Sequence, residues 1–465
     1  MTLTLLIGFS WYVHGFLAGQ PVITDEYLVQ FNQLGRRELP ASENAWPHYR
    51  KAFAALVEPT DELEQTFAFK NDGPSQFPGF AALDPDERKA LANWVTENEL
   101  AWAHFQGAAE CRYCYRPLPY DPNAATIPPL MNLTMKPSLR QLRYLAKMGI
   151  WRARLAAEAG RLDACIDDCL VIARVATHWH NGPSLIDQLV GVACGGLARG
   201  ELLRLASHYE LPVTTLHRIQ TTLAGLYPQG PPPMNFAGER LMVLDMVQHT
   251  FTQGGFGGGH LVRGQFETYL EHTMLPEGDQ PTACTRMVFR VLDVAYCLLH
   301  ARRHQTVAKI HEVYDEIDAR SRLTPYQRHI RDEKNLADSI SLYRYGYILI
   351  LLPAELRVTE LGARFRADHE ATLAILALQR YRAETGSYPD HLSRLVQAGY
   401  LPAIPMDSFS DGPLVYQRAA DGFLLYSVGN NFVDDGGTPG PDDKGKSRPW
   451  SQHGDRVFWP PMRPR

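Results

Sequence analysis

"LAILALQRYRAETGSYPDHLSRLV" runs from Leu373 to Val396. Leu373, Leu376, Ala377 and Tyr381 recur in it at the spacing of one helical face. Gly386 and Pro389 lie just beyond. Glycine accepts the left-handed conformation that ends a helix, and proline lacks the N–H that would continue one. The stretch therefore predicts a long helix with an apolar stripe, stopped near Gly386. "LVYQR" (Leu414–Arg418) and "FLLYSVG" (Phe423–Gly429), joined across Ala419 to Gly422, read as an antiparallel pair of extended runs. Between Leu424 and Asp443 the chain then gathers four aspartates, two asparagines and four glycines, and "DRVFWPP" (Asp455–Pro461) comes after them.

Upstream of Ser341 the pattern is helical throughout. Asp84 and Pro85 are placed as N-cap and first helical residue, with Leu91, Trp94, Val95 and Leu100 at helical spacing after them. From Pro137, two helices are predicted to fold back on each other at Gly160, with Leu139, Leu142, Leu145 and Met148 on one and Leu162, Cys165, Ile166, Cys169 and Ile172 on the other. Ala156, Gly160 and Ala164 suggest a close backbone approach at that turn. A further helix pair is expected over 184–209 and one more helix over 213–227, with helices resuming from Arg286 to Arg322. No clean 34-residue repeat is present, so the likeness to tetratricopeptide hairpins is loose. The expected fold is mainly α. A helical-hairpin body spans 21–340, an α+β domain spans 341–465, and residues 1–20 form a membrane anchor or signal.

Thr2 to Gly19 is apolar and carries no acidic or basic residue apart from His14. A helix of that length just crosses a hydrocarbon layer of about 30 Å. An uncleaved anchor is the favoured reading, beside a cleaved signal peptide and a buried first helix. The bulk of the chain is then expected outside the cytoplasm of a bacterial cell, as a single-pass envelope protein. With 465 residues, 45% of them apolar and 21% charged, the chain is globular and long enough for more than one core. A net charge of −5 and the lack of a basic block argue against nucleic acid as a partner. Seven cysteines cannot all pair internally. Cys165, Cys169, Cys194, Cys284 and Cys297 read as small buried hydrophobes. Cys111 and Cys114 form one C-x-x-C that lacks the second pair of a zinc ribbon, and only pooling with Cys165 and Cys169 would complete a four-thiolate site.

The order of pieces from the long helix onward resembles the head of a type II secretion major pseudopilin. It runs through "LALQRYRAETGSYPDHLSRLV", a Tyr-Leu-Pro turn and "PMDSFSDGPLVYQ" to "YSVGNNFVDDGG". The chain as a whole resembles bacterial envelope proteins that join a helical domain to such a head. In the pseudopilin family the long helix packs on a small antiparallel sheet, and the loop after it binds calcium. The resemblance thus implies a Ca²⁺ site at Asn431, Asp434 and Asp435, with Asp442, Asp443 and Asp455 as closing ligands. Calcium's demand for six to eight oxygens suits such a loop independently. Two departures stand out. The head-like module lies far from the N-terminus, and Val13 stands where the family has a glutamate after its Gly-Phe site, here Gly8-Phe9.

The chemistry-bearing alternatives are thinner. Cys297, His300, His304 and His311, with Asp315 next in line, would share one face of a continuous helix and so give an envelope metal-dependent hydrolase. They lack the glutamate of H-E-x-x-H. His178 and His180 alternate around their helix. Gly255, Gly257 and Gly259 come after a helix rather than a strand, so they read as a surface loop and not a nucleotide cradle. Ser451, His453 and Asp455 are neighbours in sequence without the surroundings of a triad. The expectation is a non-enzymatic, membrane-anchored interaction or assembly protein with a protein partner and no small-molecule substrate.

Overall fold

The computed structural model describes residues 7–8, 11, 19–66, 83–119, 127–134, 138–254, 258–264, 282–351, 355–419, 422–441 and 450–461. Most of the predicted anchor, together with Asp442 and Asp443, lies outside the described residues. The chain is mainly helical, with a three-stranded antiparallel sheet near its C-terminus.

The body begins with α1 (Glu26–Gly35), α2 (Trp46–Ala55) and α3 (Asp61–Thr66). At α4 (Pro85–Glu97) the predicted cap is present. Asp84 accepts from the backbone N–H groups of Asp86 and Glu87, and the Glu87 carboxylate accepts from the Asp84 N–H. Leu91, Trp94 and Val95 are buried, but Leu100 faces solvent. Asn98 breaks the run, because its buried side-chain amide donates to the carbonyls of Trp94 and Val57. A new helix, α5 (Glu99–Ala109), starts there with a different face inward.

After α6 (Leu130–Thr134), the helices α7 (Ser138–Glu158) and α8 (Leu162–His180) form the expected hairpin. Gly160 has φ +74°, and the Arg161 N–H reaches back to the Ala156 carbonyl. A Cβ at Gly160 would touch nothing. Its role is the left-handed turn, not the close approach that the small-residue pattern suggests. The stretch read as a helix pair over 184–209 is a single helix, α9 (Leu185–His208). Its glycines serve packing instead of turning, since Gly191 lies against the backbone of His180 and Gly195 against the Phe365 ring. Next come α10 (Val213–Leu226), α11 (Ala237–Thr250), α12 (Ala283–Leu299), α13 (Arg303–Ser321) and α14 (Pro325–Ile330). In α15 (Leu342–Leu351), Tyr345 leaves helical geometry.

The C-terminal region holds α16 (Glu355–Thr385), α17 (Ser393–Gln397), β1 (Val415–Arg418), β2 (Phe423–Ser427) and β3 (Arg456–Trp459). The predicted hairpin pairs Val415 with Tyr426 and Arg418 with Phe423. β3, which the sequence does not announce as a strand, adds to the other edge of β2 and opposes Arg456 to Ser427.

Trp102, Trp151, Tyr49 and Phe105 centre the first core, where α2, α5, α7, α8 and α9 meet. Phe236, Phe251, Tyr314 and Ile348 form a second. The third lies between α16 and the sheet, with Ile375, Leu378, Leu395, Leu425 and Phe458. Fully burying such a side chain contributes about 1.5–3 kcal/mol each. α16 is buried on more than its sheet face, because it also packs on α9 and α10 and gives Leu376 to the first core. Gln220 of α10 donates to the Tyr400 carbonyl at 2.8 Å and accepts from Arg380 at 2.8 Å. The head is thereby tied to the body along the length of its main helix.

Candidate functional site

β2 ends at Ser427, and a single turn of 3₁₀ helix at Gly429–Asn431 delivers the chain into the acidic loop. Asp434 accepts from the Tyr426 hydroxyl at 2.8 Å and from the Gly436 N–H at 2.9 Å. Asp435 accepts from the Asn431 side-chain amide at 2.7 Å. Asp455, only 2% exposed, accepts from the N–H groups of Asp435 at 3.2 Å and Gly437 at 2.6 Å. Desolvation raises the pKa of Asp455, and the charges of Asp434 and Asp435 raise it further. Four of the six expected ligands are therefore brought together. Among the described residues, no arginine or lysine forms an ion pair with Asp434, Asp435 or Asp455. The loop can approach the bend that leads into β3 only because Gly440 has no side chain: a Cβ there would overlap the His453 carbonyl oxygen.

The donor set is all oxygen, as a hard cation requires. Its oxygens are engaged within the loop, however, and among the described residues no group of three or more His, Cys, Asp or Glu is arranged to hold a metal ion. A calcium complex would draw Asp434, Asp435 and Asp455 inward from their present hydrogen bonds.

Two residues that govern the loop were not singled out from the sequence. Asp407 is buried and accepts from the Ser427 hydroxyl at 2.8 Å and the N–H groups of Val428 and Phe409 at 3.0 Å each. It pins the 407–412 turn to the end of β2, and burial raises its pKa. Phe432 has φ +60°, which is strained for an aromatic residue. Its ring stacks on His329 of α14, centroids 4.2 Å apart, which holds the loop against the body. An aspartate two residues before an aromatic in "MDSF" is a faint turn signal, but nothing local points to the His329 partner.

No family model, no curated protein and no solved structure matches this chain.

Where α8, α9 and α16 meet, a second polar group is sealed from water. His180, Arg199, Tyr227 and His369 are all buried. Both ring nitrogens of His180, Nε of Arg199, the Tyr227 hydroxyl and Nε2 of His369 have no hydrogen-bond partner among the described residues. The Arg199 guanidinium lies 4.2 Å over the Phe365 ring, which also meets His180 at 4.9 Å. Desolvation, with the charge of Arg199, holds His180 down at about 4 and His369 at about 3. These groups come from distant parts of the chain, so no spacing in the sequence could have grouped them.

The rival sites separate. The helix expected to carry Cys297, His300, His304 and His311 is broken at His300–Arg302, between α12 and α13. His300 bonds the Ala301 carbonyl at 2.8 Å through Nδ1, and His304 lies against Gly258 on the second helix. Asp315 pairs with Arg240 at 2.7 Å. His178 is engaged by the Tyr49 hydroxyl at 2.8 Å and the Cys111 carbonyl at 2.9 Å. Cys111, Cys114, Cys165, Cys169, Cys194 and Cys297 are free thiols, and burial pushes Cys194 and Cys297 up to about 12. The side chain of Cys284 lies outside the described residues. Ser451 donates to the Pro441 carbonyl at 2.6 Å and Asp455 serves the loop, so neither addresses His453 as a triad would. The glycine-rich stretch after α11 is less superficial than expected, because Thr252 and His260 are buried and hydrogen-bonded to each other.

Proposed function

We propose that this chain is a membrane-anchored envelope assembly protein, in which a helical scaffold presents a pseudopilin-like head with a calcium-responsive loop to a protein partner. The observation that carries the reading is the C-terminal region itself: a long helix against an antiparallel sheet, then three neighbouring carboxylates that hydrogen-bond within their own loop and form no ion pair with a basic residue among the described residues. The fixed docking of α16 on α9 and α10 supports a scaffold rather than a filament subunit, because the helix is already covered by its own body. The apolar Thr2–Gly19 stretch supports the anchor.

Calcium would be held by Asp434, Asp435, Asp455 and the Asn431 carbonyl groups, with Asp442 and Asp443 as closers. Its charge would offset the burial and, to a lesser degree, the neighbouring carboxylate charges that raise the pKa of Asp455. A ligand that binds only the folded state stabilises by about 2.7 kcal/mol at 100 times Kd. Melting the full-length protein in chelator and in roughly 10 mM calcium tests this, since extracellular-type sites have Kd values of about 10⁻⁴–10⁻³ M. A rise in Tm that Asp434→Ala with Asp435→Ala abolishes is expected. Identical melting curves for the unsubstituted protein would reduce the loop to a solvated turn, and release of the intact chain from membranes by high salt would remove the anchor.

A further inference from the structure

The dry junction is where the C-terminal helix meets the body. His180 ends α8, Arg199 belongs to α9 and Tyr227 closes α10, while Phe365, Arg366 and His369 come from the first half of α16. The Phe365 ring lies 4.9 Å from His180 and 5.9 Å from Tyr227, and Tyr227 lies 5.4 Å from His369. A Cβ at Gly191 would come within 2.2 Å of the His180 backbone nitrogen, and one at Gly195 within 2.8 Å of the Phe365 ring. Packing this close leaves neither imidazole room to swing aside or to admit water.

The charges that act on the two rings share one sign. Arg199 and Arg366 act on His180, and Arg199 acts on His369. Arg366 is held in place by the Pro231 carbonyl at 2.6 Å. The carboxylate that acts on Arg199, Asp368, is committed to Arg456 at 3.0 Å and to the Trp450 indole at 3.3 Å. Glu370 faces Arg366, and burial keeps the Tyr227 hydroxyl protonated. A proton on either histidine therefore meets a guanidinium in surroundings that screen little. The second half of α16 is held independently, by Leu376 in the first core and by Gln220, which bonds Arg380 and the Tyr400 carbonyl. Relief of the repulsion falls on the first half.

We propose that the junction is an acid-opened latch: when His180 and His369 take up protons beside Arg199, the first half of α16 lifts from α8 and α9 while its second half stays on α10. The test places spin-label amino acids in the full chain at exposed Leu361 of α16 and exposed Gly200 of α9, with Leu100 and Gly200 as a pair within the body. Below pH 6.5, the ordinary histidine value, the 361–200 distance should gain a longer component that disappears on return to pH 7. Uptake of two protons makes its population rise by up to about a hundredfold per pH unit. The 100–200 distance and the helical circular dichroism should stay unchanged over the same range. His180→Phe with His369→Phe should remove the pH dependence, and His369→Phe alone should reduce it to about tenfold per unit. A 361–200 distance that holds until the body pair and the helical signal change with it overturns the latch, because acid then unfolds the chain as a whole. So does a longer component with the same pH dependence in the histidine variants.

Discussion

In the loop after β2, every described carboxylate is met by an N–H or O–H group, mostly from residues within twenty positions in the chain. At the junction of α8, α9 and α16, both ring nitrogens of His180, Nε of Arg199, the Tyr227 hydroxyl and Nε2 of His369 have no such partner among the described residues, and the face of Phe365 lies at their centre. One region holds charge by directed local hydrogen bonds and partial contact with water. The other holds polar groups by tight packing and keeps its histidines neutral. An unmatched buried donor costs about 1–3 kcal/mol, so the junction is stabilised by its aromatic contacts in spite of its polar atoms. The difference teaches that the loop depends on directed contacts between near neighbours in the chain, whereas the junction depends on which surfaces meet.

Removing the centre of the junction breaks the comparison most severely. Phe365→Ala strips the stacking surface from Arg199 and His180, and a loss of about 3–5 kcal/mol is expected from urea unfolding. A loss below about 1 kcal/mol, the scale of an exposed site, would show that the junction does not depend on packing.

Acid separates the two regions by sign. The folded-state pKa values of His180 and His369, about 4 and about 3, lie below the ordinary 6.5. Their contribution to stability is therefore fully present above pH 6.5 and is lost as pH falls through these folded values. Arg199 faces both rings and Arg366 faces His180, so protonation there meets positive charge. Acidification from pH 7 to 4 should cost these two groups together roughly 6 kcal/mol, and His180→Phe with His369→Phe should flatten that slope. Asp407 and Asp455 work in the opposite direction. Their folded pKa values are raised above 3.8, so their contribution is present below 3.8 and is lost as pH rises through the raised values. Hydrogen exchange at Gly437 should therefore slow as pH is lowered through the raised value of Asp455, once corrected for intrinsic rates. A junction that destabilises on raising pH would reverse the assignment.

Asp455→Ala sharpens the loop side. It removes the acceptor for the N–H groups of Asp435 and Gly437, and a loss of about 1–3 kcal/mol is expected, with faster exchange at those two amides. Smallest is Asp435→Asn in chelator, expected within about 0.5 kcal/mol of the unsubstituted protein because the residue is exposed and keeps an acceptor for Asn431. Its gain from calcium should nevertheless fall, which distinguishes a ligand from a structural residue.

How much of the fold was legible depends on how local each signal is. The Asp84 cap, the turn at Gly160 and the β1–β2 hairpin all rest on interactions within a few residues, and each is present, whereas the stripe expected on α16 is not a single face, because Leu376 joins the body core and Ala377 the core beneath the sheet. The breaks at Asn98 and His300 defeated periodicity, because a helical pattern continues through them while a side chain or a distant carbonyl takes over the backbone bonds. In the site, Asn431, Asp434, Asp435 and Asp455 could be grouped from motif order. Asp407 and Phe432 could not, since the first acts on residues twenty positions away and the second on a ring contributed by α14.

By itself the sequence determined that the chain is mainly helical, that a long helix precedes a small sheet, and that an acidic glycine-rich turn comes next. These features depend on side-chain period, capping and turn chemistry, which act over short distances. Tertiary structure alone decided that β3 completes the sheet, that glycines in α9 serve close packing, and that α16 is enclosed by the body as well as the head. It also decided that His180 and His369, nearly two hundred residues apart, share one dry junction around Phe365. The physical reason is that close packing and desolvation depend on which surfaces meet, and that is a property of the assembled chain.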